Sequence, residues 1–185
     1  MASIILLCAG CQPKAPSEWA LSLIDPQPNW LDDELHIVAG IAWTPSPAVV
    51  EALEHGVAVP VRVTTRVSRR HARFALLDRD RNHRFEVRYL PMVRSYQLID
   101  TKSGEQTTHP RLNMLMDGFR QRRPWATGLM RDELAERDWQ VEIRAELDRS
   151  RLPSPMRMPV WFDPAWRAVT PWQGWKVDSE IHHGD

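Results

Sequence analysis

Thiol chemistry in this chain is confined to Cys8-Ala9-Gly10-Cys11, so both cysteines fall within the first eleven residues. A pair at this spacing is the pattern of a dithiol redox site, but that chemistry needs the pair to open a helix after a strand. Here it closes the apolar run Ala2-Ser3-Ile4-Ile5-Leu6-Leu7, which is too short to cross a bilayer. A short apolar core, then small residues, then a cysteine is the pattern of a bacterial lipoprotein signal, whose cysteine carries the lipid. Ala9-Gly10-Cys11 fits it, with Cys8 standing where leucine is usual. Cys11 is therefore the expected lipidation site, and the lipid bilayer the first expected partner. No Lys or Arg precedes the core, which points to an initiation site assigned too far downstream. The competing reading of the run is a buried N-terminal strand. Gln12, standing where an Asp would signal retention, favours the outer membrane.

Other residues offer weaker chemistry. Asp78-Arg79-Asp80-Arg81-Asn82 imitates the opening of a calcium loop, but His83 replaces the glycine of the turn and Tyr89 the closing glutamate. The seven histidines, His36, His55, His71, His83, His109, His182 and His183, form no zinc-ligand spacing. No nucleophile elbow, phosphate loop or dinucleotide fingerprint occurs, so the expectation is a protein without catalytic residues, metal or cofactor. Net charge is zero, which gives no global field for nucleic acid. Locally the charge is uneven: ten arginines lie between Arg62 and Arg94 against Asp78, Asp80 and Glu86. Arg62 and Arg66, on one side of a strand, continued by Arg69 and Arg70, are candidates for an anionic surface; the competing reading is an ordinary solvated face guarding an edge strand. Trp161, Trp166, Trp172 and Trp175 lie in a proline-rich C-terminal segment. They are candidates for ligand or partner contact, or anchors that pack an irregular segment onto a sheet.

The elements that must hold these residues read mainly as strands. Residues 35–43 form one, entered from the turn-rich Asp25-Pro26-Gln27-Pro28-Asn29. Thr44-Pro45-Ser46-Pro47 stops it; Ser46 caps a short helix with Pro47 at its first position and Gly56 at its end. Val57, Val59, Val61, Val63 and Val67 alternate with polar residues in a strand that Pro60 places at an edge or near a strand start. A polar turn over residues 78–83 leads to a strand carrying Phe85, Val87 and Tyr89. Residues 95–100 form a third, and Ser103-Gly104 a hairpin into residues 105–108. Leu112, Leu115, Met116 and Phe119 share a helix face that Pro124 terminates. Residues 139–147 alternate most regularly of all. The expected class is α+β and β-rich: a mainly antiparallel sheet or sandwich with two short helices and an irregular Trp/Pro-rich C-terminal strap. That strap, docked through Trp166, is expected to lie across strand 139–147.

Three stretches carry a likeness to a known family: Glu51-Ala52-Leu53-Glu54-His55-Gly56-Val57-Ala58-Val59-Pro60, Tyr89-Leu90-Pro91-Met92-Val93-Arg94-Ser95-Tyr96, and the run 144–175 with Leu147-Asp148-Arg149-Ser150-Arg151-Leu152-Pro153, Met158-Pro159-Val160-Trp161-Phe162 and Trp172-Gln173-Gly174-Trp175. In order and spacing they resemble the DUF4390 family of proteobacterial proteins. The resemblance implies an exported domain of unknown function, with no catalytic residues to carry across and a link to envelope signalling. The chain then divides into a signal and lipobox remnant (1–11), a tether (12–18), one domain (19–178) and a polar tail (179–185). The expected role is an envelope-tethered accessory or binding lipoprotein acting through an envelope protein, on the periplasmic face of the outer membrane. The alternative is a soluble periplasmic carrier or sensor of a small amphipathic ligand.

Overall fold

Alternating apolar and polar residues build nine strands in two antiparallel sheets among the described residues. The computed structural model describes residues 19–69, 79–136 and 139–177. Cys11, the tether, Arg70, Asp78 and the polar tail lie outside these residues. Strands β1 (Ala20–Leu31) and β2 (Glu34–Thr44) form a hairpin, extended by β7 (Arg123–Met130) into a three-stranded sheet of order β1-β2-β7. The other six are β3 (Val59–Arg69), β4 (Arg79–Leu90), β5 (Ser95–Asp100), β6 (Gln106–His109), β8 (Trp139–Leu147) and β9 (Gln173–Val177), in the order β6-β5-β4-β3-β8-β9.

The sheets meet through the alternating inward residues of β2, β3 and β8, among them Ile37, Ile41, Val61, Val63, Val141 and Ile143, each at most 1% exposed. β7 faces β3 and β4: the Thr65 hydroxyl donates to the Ala126 carbonyl at 2.8 Å, and the Trp125 ring meets Phe85 edge-on at 5.7 Å. Helix α1 (Pro47–Glu54) begins at Ser46, whose side chain accepts from the Val49 amide. Helix α2 (Leu112–Arg120) turns Leu115, Met116 and Phe119 into the core and crosses β2 at Gly40. A Cβ there would stand 2.2 Å from the Arg120 carbonyl oxygen, so only glycine permits that approach.

Four features differ from the sequence reading. The turn at residues 25–29 is a bulge inside β1, which absorbs Asp25 at φ 40° between Ile24 and Gln27 and resumes pairing at Gln27. β1 is an edge strand, so its prolines remove no ladder bond that another strand needs. The polar turn before Phe85 is strand: Asp80, Arg81 and Asn82 pair with Arg66, Thr65 and Thr64. As one of the two expectations for Pro60 had it, that residue stands near a strand start: β3 is internal, flanked by β4 and β8. Pro60 is tolerated there as the second residue, where the side toward β8 supplies only the Asp148 amide donating to its carbonyl. Pro124 belongs to β7, paired with Val38, and does not merely end α2. Finally, the C-terminal strap runs beside β8 as its edge partner, through β9 and through Thr170 and Ala168 bonded to Ala145 and Leu147, and it includes a third helix, α3 (Ser154–Phe162).

Candidate interaction surface

Outward residues of the six-stranded sheet gather Arg62 and Arg66 from β3, Asp80 and Arg84 from β4, and Arg144 and Glu146 from β8. Their charges meet one another. Arg62 binds Glu146 through Nε at 2.8 Å and through Nη2, and reaches Asp148 at 3.4 Å. Arg66 grips Asp80 with two bonds of 2.8 and 3.0 Å, and this guanidinium holds the Asp80 carboxyl below the usual carboxylate range. Trp172 is stacked between Arg66 and Arg144, whose guanidinium carbons lie 4.6 and 4.7 Å from the ring centre. Arg69 lies over Trp139 at 5.5 Å. Of the arginines that sequence spacing offers to an anionic surface, Arg62, Arg66 and Arg69 are thus engaged by acids and indoles beside them, and Arg70 lies outside the described residues.

At the end of the sheet where β3 begins, the pattern reverses. Register places Val59 opposite Val87 and Val61 opposite Leu147, so the β4–β5 turn and the exit from β8 share this end. The turn is one tight 3-10 helix, Pro91–Val93, closed by Arg94 in the left-handed conformation at φ 47° with its amide donating to Pro91. It presents Met92 at 96% and Val93 at 63% exposure. Beyond β8, Asp148 is buried with one oxygen accepting from the Ser150 hydroxyl and the other near Arg62 and Arg84. It anchors the turn Arg149–Arg151 from which α3 springs. Leu152 and Val160 bury, Arg157 donates to the Leu152 carbonyl at 2.7 Å, and Arg149 donates to the Trp161 carbonyl at 3.2 Å while covering its ring at 4.8 Å. With Val160 inside, Met158, Trp161 and Phe162 point outward at 71%, 51% and 72% exposure.

The four C-terminal tryptophans therefore separate. Trp166 is 4% exposed and packs beside α1, as an anchor should. Trp172 and Trp175 are half-buried along the edge strand, and Trp161 stands in the exposed group. Met92, Val93, Met158 and Phe162 were not candidates by residue type. The spacing of Met158, Trp161 and Phe162 at i, i+3 and i+4 was the available signal, masked by Pro159 inside the helix.

Cavities also lie among the described residues. One of about 500 Å³ lies between α2 and β5–β6, floored by Phe85 and Leu98 and ringed by Asp100, Glu105, His109 and Arg123. Arg123 fills part of it, donating to the Gly118 carbonyl at 3.0 Å over the Phe85 and Trp125 rings; burial pulls its pKa down. A smaller one, about 160 Å³, adjoins Asp148, Arg84 and Arg151. Among the described residues no three His, Cys, Asp or Glu side chains are grouped to hold a metal ion, and no helix is long and apolar enough to cross a membrane. Three of the described histidines meet backbone carbonyls: His36 and His55 within two and four residues of themselves, and His83 the Ala126 carbonyl at 3.2 Å.

In comparisons with known proteins, residues 20–176 match the family model DUF4390, described as a domain of unknown function. No curated protein and no solved structure matches the chain.

Proposed function

The chain belongs to the DUF4390 family, and from that premise we propose that it is an envelope-tethered accessory protein that acts by binding another envelope protein, without catalysis of its own. The observation that carries this reading is the β4–β5 turn, where Met92 and Val93 project at 96% and 63% exposure. Isolated exposed apolar residues are ordinary, but two adjacent ones on a turn closed by a left-handed arginine form a preformed knob. A preformed knob loses little freedom when a partner covers it. In this reading Cys11 carries the lipid anchor, and the domain sits at the periplasmic face of the outer membrane. Its role in envelope signalling follows from what the resemblance implies.

The carrier alternative has one observation in its favour, the cavity of about 500 Å³ beneath α2. It is not at the tryptophan segment, where a ligand was expected, and its rim is charged. A ligand there would need groups for both carboxylates and guanidinium. The test of the leading reading uses the full chain in native membranes. Affinity capture should retain a defined envelope protein, and Met92→Asp together with Val93→Asp should release it while the fold stays intact. Capture that survives this pair of changes would remove the reading. Intact-mass measurement of the membrane form should find a diacyl modification on Cys11; an unmodified cysteine would leave the soluble periplasmic alternative.

A further inference from the structure

The exposed face of α3 is a larger apolar feature than the turn, and it differs from it in charge. Between Arg149 and Arg167 the chain carries Arg149, Arg151, Arg157 and Arg167 against Asp163. That acid is occupied, accepting the Ala165 amide at 2.9 Å as the cap of the next turn. Arg149 is held against the Trp161 ring and Arg151, Arg157 and Arg167 are exposed in the same stretch, so the segment that presents Met158, Trp161 and Phe162 carries a net positive charge.

We propose that this face of α3 is a membrane-contact surface, seated in the interface of an anionic lipid bilayer with the three apolar side chains below the headgroups and the arginines among the phosphates. The proposal goes beyond the partner-binding reading and stands without the lipid anchor. Three observations select lipid over other occupants. First, an indole, a phenyl and a thioether projecting from one helix face, fringed by arginine, match both layers of a bilayer surface at once: the apolar groups the acyl boundary, the guanidinium groups the phosphates. Secondly, a second copy of the chain would bring two equally positive faces together in an isologous contact, which the charge opposes. Thirdly, the chain enters the domain near this end. Ala20 pairs with Thr44, two residues before the cap of α1, and α1 is a single eight-residue helix that delivers the chain to the first residues of β3. Such a helix is only about 12 Å long. Ala20, at the start of β1, therefore lies near the end that carries α3.

The face is also built in advance. Pro155 stiffens the start of α3 and Pro159 its second turn, and Val160 fixes the rotation that turns Met158, Trp161 and Phe162 away from the core. Insertion then requires no refolding of the helix.

Flotation with vesicles tests this. The full chain bearing Cys11→Ser, which removes the acylation site, is mixed with phosphatidylglycerol–phosphatidylethanolamine vesicles and with neutral phosphatidylcholine vesicles. Binding should favour the anionic vesicles and weaken in high salt. In the same background, Met158→Ser and Phe162→Ser should each weaken it about tenfold, the loss expected when one buried apolar side chain is removed from a contact. Acyl-brominated vesicles should quench tryptophan emission, and Trp161→Phe should remove most of that quenching. Because both serine changes fall on exposed side chains, far-UV circular dichroism should be unaltered. Any binding contributed by residues 2–7 is common to all variants and cancels in the comparison. Vesicle binding that is absent at low salt, or present but indifferent to Met158→Ser and Phe162→Ser, overturns the proposal. So does photo-cross-linking in cells from a benzophenone side chain at position 162 that labels a protein or a second copy and not phospholipid. None of these outcomes bears on capture through Met92 and Val93, so the two readings can fail separately.

Discussion

The outer face of the six-stranded sheet and the end of that sheet use the same residue types in opposite ways. On the face, Arg66 and Arg144 enclose Trp172, Arg66 holds Asp80, and Arg62 holds Glu146. Arg62 and Arg66 each meet an acid on a neighbouring strand, and Arg144 meets Glu146 on its own strand. At the end, Arg149 covers one side of Trp161, yet the indole stays half exposed beside Met158 and Phe162, and the acid available, Asp163, is spent on a cap. Composition alone marks the two regions as alike, rich in arginine and tryptophan. What separates them is cross-strand register, which sets Arg62 opposite Glu146 and Arg66 opposite Asp80 and Glu142, whereas α3 pairs with no strand. Substitutions on the face should thus lower stability and leave binding alone, while those at the end should do the reverse.

The largest expected effect contrasts two tryptophans five positions apart. Trp166 is 4% exposed in the core and Trp161 is 51% exposed. Trp166→Ala should cost about 3–5 kcal/mol by loss of buried surface and creation of a cavity. In a domain of this size that lowers the thermal midpoint by at least about 6 °C. A midpoint unchanged in Trp166→Ala would break the comparison outright.

Within the face, the two arginines of β3 should differ. Removing Arg62 strands Asp148, which is 3% exposed and retains only Ser150 and the more distant Arg84. Arg62→Ala should cost about 2–3 kcal/mol, below the range for a fully buried pair because Arg62 itself is 27% exposed. Arg66 and Asp80 form a more exposed pair, so Arg66→Ala should cost only about 1 kcal/mol, including the lost stacking on Trp172. Denaturant titration of both variants checks the order, and equal losses would show that the burial of Asp148 does not matter.

A smaller effect comes from pH. Burial against Trp125 holds the His83 pKa below 6.5, with its ring nitrogen bonded to the Ala126 carbonyl. Below the unfolded value the denatured chain takes up a proton that folded His83 refuses. Its contribution is therefore fully present above about pH 6.5 and is lost progressively as pH falls toward the folded pKa. His83→Gln, which keeps a donor for Ala126, should flatten this part of the stability–pH curve. An unaltered slope would place the acid sensitivity elsewhere.

Much of this architecture is legible in residue order. β8 alternates without interruption because both of its neighbours require it, and α1 is bounded by Ser46, Pro47 and Gly56 in the positions where caps work. The elements that escape are β1, β7 and β9, each at a sheet edge and each carrying proline or glycine: Pro26 and Pro28, Pro124 and Gly128, Gly174. Punctuating residues read as turns when they are counted locally. An edge strand tolerates them because one side of its backbone owes no bond to a neighbour. Gly128 shows the limit of local reading. It sits at φ 81° where β7 slips register against β2, its amide bonded to Glu34 and its missing side chain making room for Arg81, contacts that arise only in the assembled fold. The interaction surface was half legible. The tryptophan excess was plain, but which ring faces inward depends on the rotation of α3, and Val160 sets that only once the sheet exists.

The smallest expected effect on stability is the one that sharpens the comparison most. Phe162 is 72% exposed and Met158 71% exposed, so replacing either with serine removes little buried surface. Surface changes of this kind usually fall within about 0.5 kcal/mol of neutral. Both side chains are largely in water in the folded and the unfolded chain alike, so the transfer term changes little. Serine is a poorer helix former than methionine by a few tenths of a kcal/mol and about equal to phenylalanine. The thermal midpoints of Met158→Ser and Phe162→Ser should therefore stay within about 2 °C of the parent. A solubility gain is expected alongside, because an exposed apolar face promotes self-association. If instead either change lowers the midpoint as Trp166→Ala does, then α3 is held by its outer face as well as by Val160. The end of the sheet would then be packing, as the face is, and the distinction between the two regions would collapse.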